Sequence, residues 1–279
     1  MTPDPIIAPE QLASVASPLL IDARAGEEGR RAYAAAHLEG AVHLDLETDL
    51  AAAVADPSQG GRHPLPPIDD FCRLLGRFGI TPDREIVVYD AMGGAMAAAR
   101  LWWMLRALGF QRVRLLDGGF QAAQAAGLAL ATGAEPVTAA ADERLLASGF
   151  TELPTVDAAG VREALADPKR RVIDVRSAAR FRGEQEPIDP IAGHIPGAWN
   201  VPYAENLDEQ GRFKSAEALR ALYTARLQTA DLEGAVVHCG SGVTACHTLL
   251  ALQRAGVASA ALYVGSWSEW CRNPWPREP

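Results

Sequence analysis

Residues 234–252, GAVVHCGSGVTACHTLLAL, decide how the rest of the sequence is interpreted. The apolar run at 235–238 predicts a buried strand, and apolar residues recur at helical spacing from Val243 onward. Cys239 falls at the carboxyl end of that strand, where ligands collect in open α/β sheets. The glycines let the next loop curl so that backbone N–H groups point inward, and a helix begins at the same place. Because such donors stabilise a thiolate, we predict that Cys239 is a reactive nucleophile.

The bulk composition is that of a soluble globular protein. The 279 residues are 48% hydrophobic and 22% charged, enough for one large core or two ordinary domains. A net charge of −9 argues against general binding to nucleic acid or to an anionic membrane. The first fifteen residues lack a basic start and a long apolar run, which predicts no secretory signal. The four cysteines are widely spaced, so we expect reduced thiols in a cytoplasmic protein.

One α/β unit occurs twice in this sequence. In each half an apolar run ends in Asp-x-Arg, a histidine follows, a second apolar run ends at a polar residue, and an aromatic residue follows a turn. Because four landmarks recur in the same order at nearly constant separation, we infer a tandem duplication. The matched pairs are Asp22 with Asp174, His37 with His194, Asp90 with Cys239, and Phe120 with Trp267.

Each half alternates short apolar runs with helical patterns, which predicts an α/β fold with a mainly parallel sheet and helices on both faces. A helix is predicted over 95–108, ending at Gly109. We place the first domain at 1–135, a linker at 136–152 and the second domain at 153–279. The predicted strands are 19–23, 41–44, 85–89 and 113–116 in the first half, and 172–175, 198–201, 235–238 and 260–264 in the second.

The first half lacks the nucleophile of the second. Asp90 stands at the position of Cys239, although a glycine-bearing loop follows in both halves. Because a carboxylate cannot act as a thiolate nucleophile, we predict that the first domain is catalytically silent. A simpler role for Asp90 is to accept hydrogen bonds from the N–H groups of its own loop, and both interpretations are compatible.

These residues resemble the two-domain rhodanese-type sulfurtransferases over nearly the whole chain. The most specific piece is CGSGVTA at 239–245, which in that family is the persulfide-bearing loop. With Gly240 and Ser241 the loop looks most like that of the 3-mercaptopyruvate sulfurtransferases, because thiosulfate-preferring members typically carry Arg and Lys there. Supporting motifs are DVR at 174–176, RFRG at 180–183, GHIPG at 193–197 and DGGF at 117–120.

The resemblance implies persulfide chemistry without a metal or a dissociable cofactor. The Cys239 thiolate would attack the sulfur of a small anionic donor, with 3-mercaptopyruvate favoured, and release the desulfurated product. An acceptor thiol, such as thioredoxin or a low-molecular-weight thiol, or cyanide would then remove the outer sulfur. N–H groups of the loop would hold the anionic sulfur. These N–H groups belong to residues Gly240, Gly242, Val243 and Thr244.

The resemblance also assigns three further side chains. Ser241 matches a serine that relays a proton, and His37 of the first domain matches the histidine partner of that serine. Arg180 matches the arginine that binds the donor carboxylate, a role that suits a planar guanidinium. A second substrate arginine is expected within 184–189, and this sequence has none there, which leaves the donor open.

The same residues allow other interpretations. A phosphatase loop needs an arginine six positions after its cysteine to clamp phosphate, and Ala245 occupies that position. The Asp-x-Arg and histidine motifs recur in the silent half, so we expect them to brace the fold. Cys246, two helical turns after Cys239, is expected in the core. Two alternatives stay open, namely a thiosulfate:cyanide sulfurtransferase (a rhodanese) and a non-enzymatic sulfur-carrier or binding module.

Overall fold

The computed structural model describes residues 4–135 and 153–279, so the predicted linker at 136–152 lies outside the described residues. The chain divides into two compact units. Two segments depart from a simple division into sequence halves, because Ala53–Pro64 belongs to the second unit and Gln210–Arg212 belongs to the first. The first unit contains 4–52, 65–135, 153 and 210–212, and the second contains 53–64, 154–209 and 213–279.

The first unit is built on a five-stranded parallel sheet with the strand order β1-β6-β5-β2-β4. A separate antiparallel pair joins β3 to β7. The strands are β1 (Ile6–Ile7), β2 (Leu19–Asp22), β3 (His37–Leu38), β4 (Val42–His43), β5 (Ile86–Tyr89), β6 (Val113–Leu116) and β7 (Leu130–Ala131). The helices are α1 (Gly26–Ala35), α2 (Ile68–Arg77), α3 (Ala97–Ala107) and α4 (Gly119–Ala125).

The second unit repeats this plan with the strand order β10-β9-β11-β12-β8, again all parallel. Replacing each strand by its counterpart in the first unit reproduces the first sheet, which confirms the duplication. The strands are β8 (Thr155–Val156), β9 (Val172–Asp174), β10 (Trp199–Asn200), β11 (Val236–His238) and β12 (Ala261–Tyr263). The helices are α5 (Ala158–Ala166), α6 (Ala178–Phe181), α7 (Ala216–Leu227), α8 (Ala245–Arg254) and α9 (Ser266–Trp270).

The eight predicted strands are all present, and each end agrees within one residue. The predicted helix at 95–108 is α3, and Gly109 follows it with a φ of 88°, a conformation that glycine adopts without strain. The predicted fold class is therefore confirmed. The edge strands β1 and β8, each two residues long, were not predicted from the sequence. No helix in the described part of the chain is long and apolar enough to cross a bilayer.

The central strands place the two polar landmarks at matching points. All residues of β5 and of β11 are buried, because helices cover both faces of a parallel sheet. Asp90 directly follows β5, and Cys239 directly follows β11. Both side chains therefore lie at the carboxyl ends of the central strands, where a parallel sheet places its ligands.

The Asp-x-Arg motif makes the same brace in both units. In the first unit Arg24 Nη2 lies 2.6 Å from Asp22 Oδ2 and donates to the carbonyl of Ala36 at 2.6 Å. In the second unit Arg176 Nη2 lies 2.6 Å from Asp174 Oδ2 and donates to the carbonyl of Gly193 at 2.7 Å. A buried carboxylate paired with a bidentate guanidinium thus ties each second strand to the residue before the repeated histidine.

The repeated histidine completes that brace. His37 stacks on Tyr33 with ring centroids 4.0 Å apart, and its Nδ1 lies 2.8 Å from the Tyr33 carbonyl oxygen. His194 stacks on Phe181 at 3.7 Å, and its Nδ1 lies 2.8 Å from the Phe181 carbonyl oxygen. The expectation that these motifs brace the fold is confirmed by matching contacts in the two units.

Candidate active site

Cys239 opens a tight loop that leads from β11 into α8. Its side chain is almost fully buried, with 3% exposed. The backbone is pinned on both sides, because the Cys239 N–H donates to Ser266 Oγ at 3.2 Å and the Cys239 carbonyl accepts from the Trp267 N–H at 3.0 Å. Gly242 has a φ of 75°, and a Cβ there would lie 2.5 Å from the Val264 carbonyl oxygen. Only glycine fits at that point, so the loop is held in one shape.

A cavity of about 230 Å³ opens onto the Cys239 loop. Four of the predicted site residues line it, namely Cys239, Gly240, Thr244 and Arg180. Val243 is buried with 2% exposed, and Gly242 serves the turn of the loop. The remaining lining residues, which the sequence did not assign to substrate, are Val175, Arg176, Ser177 and Tyr203.

Ser241 is hydrogen-bonded to a histidine that the sequence did not predict. Its Oγ lies 2.8 Å from Nδ1 of His63, and Ser241 is 7% exposed. The sequence assigned His37 to this position. His37 instead belongs to the brace of the first unit, and its Nε2 lies 3.4 Å from Glu135 Oε1. The contact to His63 therefore corrects the predicted partner of Ser241.

His63 could have been recognised only by its surroundings in the sequence. It lies in GGRHPLP at 60–66, a run of glycine and proline outside every predicted element. Loops of that composition carry functional side chains more often than buried elements do. The segment Ala53–Pro64 has no counterpart among the repeated landmarks, so matching the two halves pointed to His37 and away from His63.

Arg180 is fixed by a buried acid. Its Nη2 lies 2.6 Å from Glu186 Oε1 and its Nε lies 3.2 Å from Glu186 Oε2, while the Glu186 side chain is 3% exposed. Glu186 also lies 3.3 Å from Arg176 Nη1. Burial lowers the pKa of Arg176, but the carboxylates of Asp174 and Glu186 and the nearby Cys239 raise that pKa above its ordinary value. Arg176 thus carries a permanent positive charge at the cavity wall.

Glu186 and Asp189 lie on a loop that is longer in the second unit. His194 follows Asp174 by 20 positions, whereas His37 follows Asp22 by 15. The five additional residues fall in the stretch after α6, where Glu186 and Asp189 both accept hydrogen bonds from arginines. The acids of this loop therefore hold arginine side chains in place beside the cavity of the second unit.

In the first unit the equivalent loop is closed by its own side chain. The buried Asp90 carboxylate accepts four backbone hydrogen bonds, from Met92 at 2.8 Å, Gly94 at 2.8 Å, Met96 at 3.1 Å and Ala98 at 3.2 Å. Complete burial raises the pKa of Asp90, and these four donors oppose that rise. The expectation that Asp90 satisfies the N–H groups of its own loop is confirmed.

Comparison with known proteins identifies the class to which this fold and site belong. The fold is a duplicated parallel α/β unit, and the site is a strand-ending cysteine beside two fixed arginines. The chain belongs to the Rhodanese-like domain family, which it matches twice, over residues 8–126 and 157–273. Its relatives in that family are sulfurtransferases.

Three relatives illustrate this. A protein from Pseudomonas aeruginosa named as a probable 3-mercaptopyruvate sulfurtransferase is 42% identical over 96% of this chain and 95% of its own length. A relative from Mycobacterium tuberculosis, named for thiosulfate sulfurtransferase activity, is 40% identical over 88% of this chain and 84% of its own length. The crystal structure of the 3-mercaptopyruvate sulfurtransferase from Escherichia coli superposes with a TM-score of 0.78 at 33% identity, over 95% of this chain and 99% of that one. The predicted resemblance is thereby confirmed.

Proposed function

We infer that this enzyme takes the thiol sulfur of 3-mercaptopyruvate, carries it as the sulfane sulfur of a persulfide on Cys239, and passes it to a thiol acceptor or to cyanide. The observation that supports this most directly is the position of Cys239, which shares a small cavity with the fixed guanidinium groups of Arg176 and Arg180. A nucleophilic sulfur beside permanent cations is suited to a small anionic donor. Gly240 and Ser241 place no large side chain over the nucleophile.

In the first half-reaction the Cys239 thiolate attacks the donor sulfur. The new bond is S–S, and the bond that breaks joins sulfur to C3 of mercaptopyruvate. The electron pair of that bond stays on C3 as the enolate of pyruvate, which takes a proton to become pyruvate. The Ser241–His63 pair supplies a path for this proton, because the hydroxyl and the imidazole are within hydrogen-bonding distance.

In the second half-reaction an acceptor thiolate attacks the outer sulfur of the persulfide. The S–S bond to Cys239 breaks, Cys239 leaves as a thiolate, and the acceptor becomes a persulfide. Thioredoxin or a low-molecular-weight thiol would serve as acceptor, and cyanide would leave as thiocyanate. Backbone N–H groups of residues 240–244 would stabilise the anionic sulfur in both steps, as donors in an oxyanion hole stabilise oxygen.

Thiosulfate is the second candidate donor, because a relative that is 40% identical is named for it. Steady-state transfer to cyanide or dithiothreitol from each donor, with wild type and Cys239→Ser, tests the proposal. We expect the wild-type enzyme to prefer mercaptopyruvate and to show, by intact mass spectrometry, the added mass of one sulfur atom. Cys239→Ser should show no such added mass. A preference for thiosulfate would replace the donor, and transfer surviving in Cys239→Ser would contradict the persulfide mechanism.

A further inference from the structure

A second arginine reaches the Cys239 loop from a segment outside the repeated landmarks. A methyl group built on Gly240 would lie 3.3 Å from Nη2 of Arg62 and 3.4 Å from Nη2 of Arg180. Because both guanidinium groups come so close to one point, they are neighbours beside the residue that follows the nucleophile. The Arg62 side chain is 23% exposed and that of Arg180 is 18% exposed, so both keep contact with solvent.

The position of Arg62 is set by the same inserted loop that sets Arg180. Arg62 Nε lies 3.1 Å from Asp189 Oδ1, and Nη2 lies 3.4 Å from Asp189 Oδ2. The Asp189 side chain is fully buried and also lies 2.8 Å from Arg272 Nη1. These two hydrogen bonds use two of the five N–H donors of the Arg62 guanidinium. Asp189 therefore orients the guanidinium while further donors exist for a ligand.

The backbone that carries Arg62 is pinned as well. The Gly60 N–H donates to Glu269 Oε1 at 3.0 Å, and the Arg62 N–H donates to Ser268 Oγ at 3.1 Å. Both acceptors belong to α9, which directly follows β12. The segment Ala53–Pro64 is thus attached to the second unit at several points, and its Arg62 and His63 side chains have fixed origins.

The charges of this network favour an incoming anion. Its ion pairs link four arginines to three carboxylates, which leaves one positive charge in excess. The loop N–H groups and the N-terminus of α8 are suited to the sulfur of Cys239, so the excess guanidinium charge is available to a second anionic group. The members are Arg62, Arg176, Arg180, Arg272, Asp174, Glu186 and Asp189.

We propose that Arg62 binds the carboxylate of the sulfur donor together with Arg180. This assignment rests on the proposed function, since the carboxylate that Arg62 would bind belongs to the proposed donor, a 2-oxo acid. A 2-oxo acid presents a carboxylate and an adjacent carbonyl oxygen, and two planar guanidinium groups can engage them from two sides. Arg62 thereby supplies the second cation that residues 184–189 do not provide.

The test compares two donors that differ only in the carboxylate. Mercaptoacetone is 3-mercaptopyruvate with a methyl group in place of the carboxylate. For Arg62→Gln we expect the KM for mercaptopyruvate to rise about 10- to 100-fold, the usual cost of one charge-assisted hydrogen bond. We expect kcat/KM for mercaptoacetone to change by about twofold or less, since only the general field changes. Arg62→Lys should bind mercaptopyruvate more tightly than Arg62→Gln and less tightly than wild type, because lysine keeps the positive charge but lacks the planar pair of guanidinium donors.

The matched control is Arg182→Gln, which removes an exposed arginine paired with Glu184 and should leave both donors unaffected. An equal loss for both donors in Arg62→Gln would mean that Arg62 only supports the loop or His63, and the proposal would be wrong. Thermal melts establish that each variant is folded.

A binding measurement separates this proposal from the proposed function. Pyruvate is titrated calorimetrically into Cys239→Ser and into Cys239→Ser with Arg62→Gln. If wild type does not use mercaptopyruvate, the proposed donor is wrong, whereas weaker pyruvate binding on loss of Arg62 would still support the carboxylate site. If wild type uses mercaptopyruvate and pyruvate binds both variants equally, the assignment of Arg62 alone is overturned.

Discussion

The two units share a central strand followed by a glycine-bearing loop, but the residue at the start of that loop differs between them. In the first unit the carboxylate of Asp90 accepts four backbone N–H groups, so the chain fills its own anion site. In the second unit the equivalent residue is Cys239, which offers one sulfur atom where Asp90 offers two oxygens. A thiolate at this position is the group that such a loop is suited to hold. The two units therefore differ in the atoms that their matching loops surround, a carboxylate in the first and a sulfur in the second.

The charged residues that line the cavities beside the two loops also differ. A cavity of about 360 Å³ borders Asp90, and its wall includes Glu28 and Arg24, the latter already paired with Asp22. The smaller cavity at Cys239 includes Arg176, which is the counterpart of Arg24 and is likewise paired with an aspartate, and it includes Arg180 in addition. Glu28 in the wall of the first cavity disfavours an anion there, whereas Arg180 favours an anion in the second. The duplicated fold is therefore shared, and the charge lining each cavity is not.

The largest expected effect on sulfur transfer comes from substitutions at Cys239 and at its counterpart Asp90. Cys239→Ser should lower sulfur transfer by about a thousandfold or more, because no thiolate is left to carry the sulfur. Adding Asp90→Cys to that variant should restore no transfer, because the lining of the cavity at Asp90 contains Arg24 but no equivalent of Arg180. Steady-state transfer and intact mass measure both. If the cysteine introduced into the first unit formed a persulfide that turned over, the loop alone would confer activity and the comparison would break.

Removing the carboxylate of Asp90 should cost stability without costing chemistry. Asp90→Ala leaves four backbone N–H groups without their acceptor, and we expect the free energy of unfolding to fall by about 3 kcal/mol. Urea unfolding measures the loss. The matched control is Asp70→Asn, an exposed aspartate at the start of α2 that pairs with Arg73. Unchanged stability in Asp90→Ala would mean that water satisfies these donors and that the filled loop is not a stabilising feature.

The two histidines offer a direct comparison between the units. His63→Gln and Ser241→Ala should each lower kcat about a hundredfold, and the double variant should be little worse, because the two side chains act as one pair. His37→Gln should lower the melting temperature, since it removes the stack on Tyr33. Measured kcat values and melting curves for the four variants decide the matter. The reverse pattern, with His37 controlling kcat, would restore the assignment made from the sequence.

Much of the fold could be predicted because it depends on local, repeated signals. Each central strand is a run of apolar residues ending in a polar one, and the strand order is the same in both units. Cys239 was predicted from its position between such a strand and a helix. Arg180 was predicted by resemblance and lines the cavity at Cys239, while its role toward the donor carboxylate stays a prediction.

The partners of these residues could not be predicted, because they depend on packing between distant segments. Ser241 and His63 are 178 positions apart, and Arg62 and Asp189 are 127 apart. Within the described residues neither contact has a counterpart in the other repeat, so comparing the halves gave no indication of them. The short segment Ala53–Pro64 lies in the first half of the sequence and folds with the second unit. Only the three-dimensional structure brings these side chains together.

The smallest expected effect is a difference in acid sensitivity. His247 lies in α8, and burial lowers its pKa to about 3, whereas α3 of the first unit contains no histidine. In the unfolded chain His247 binds a proton below its ordinary pKa of about 6.5, whereas in the folded chain it stays neutral down to about pH 3. The contribution of neutral His247 to the free energy of unfolding is therefore complete above about pH 6.5 and is lost as the pH falls toward 3. The loss should reach about 2 kcal/mol near pH 5.

Urea unfolding at several pH values measures the slope of the unfolding free energy against pH, which should be shallower for His247→Gln than for wild type. A slope remains in that variant, because burial also lowers the pKa of His238. Identical slopes in the two proteins would show that His247 is not kept neutral by its burial.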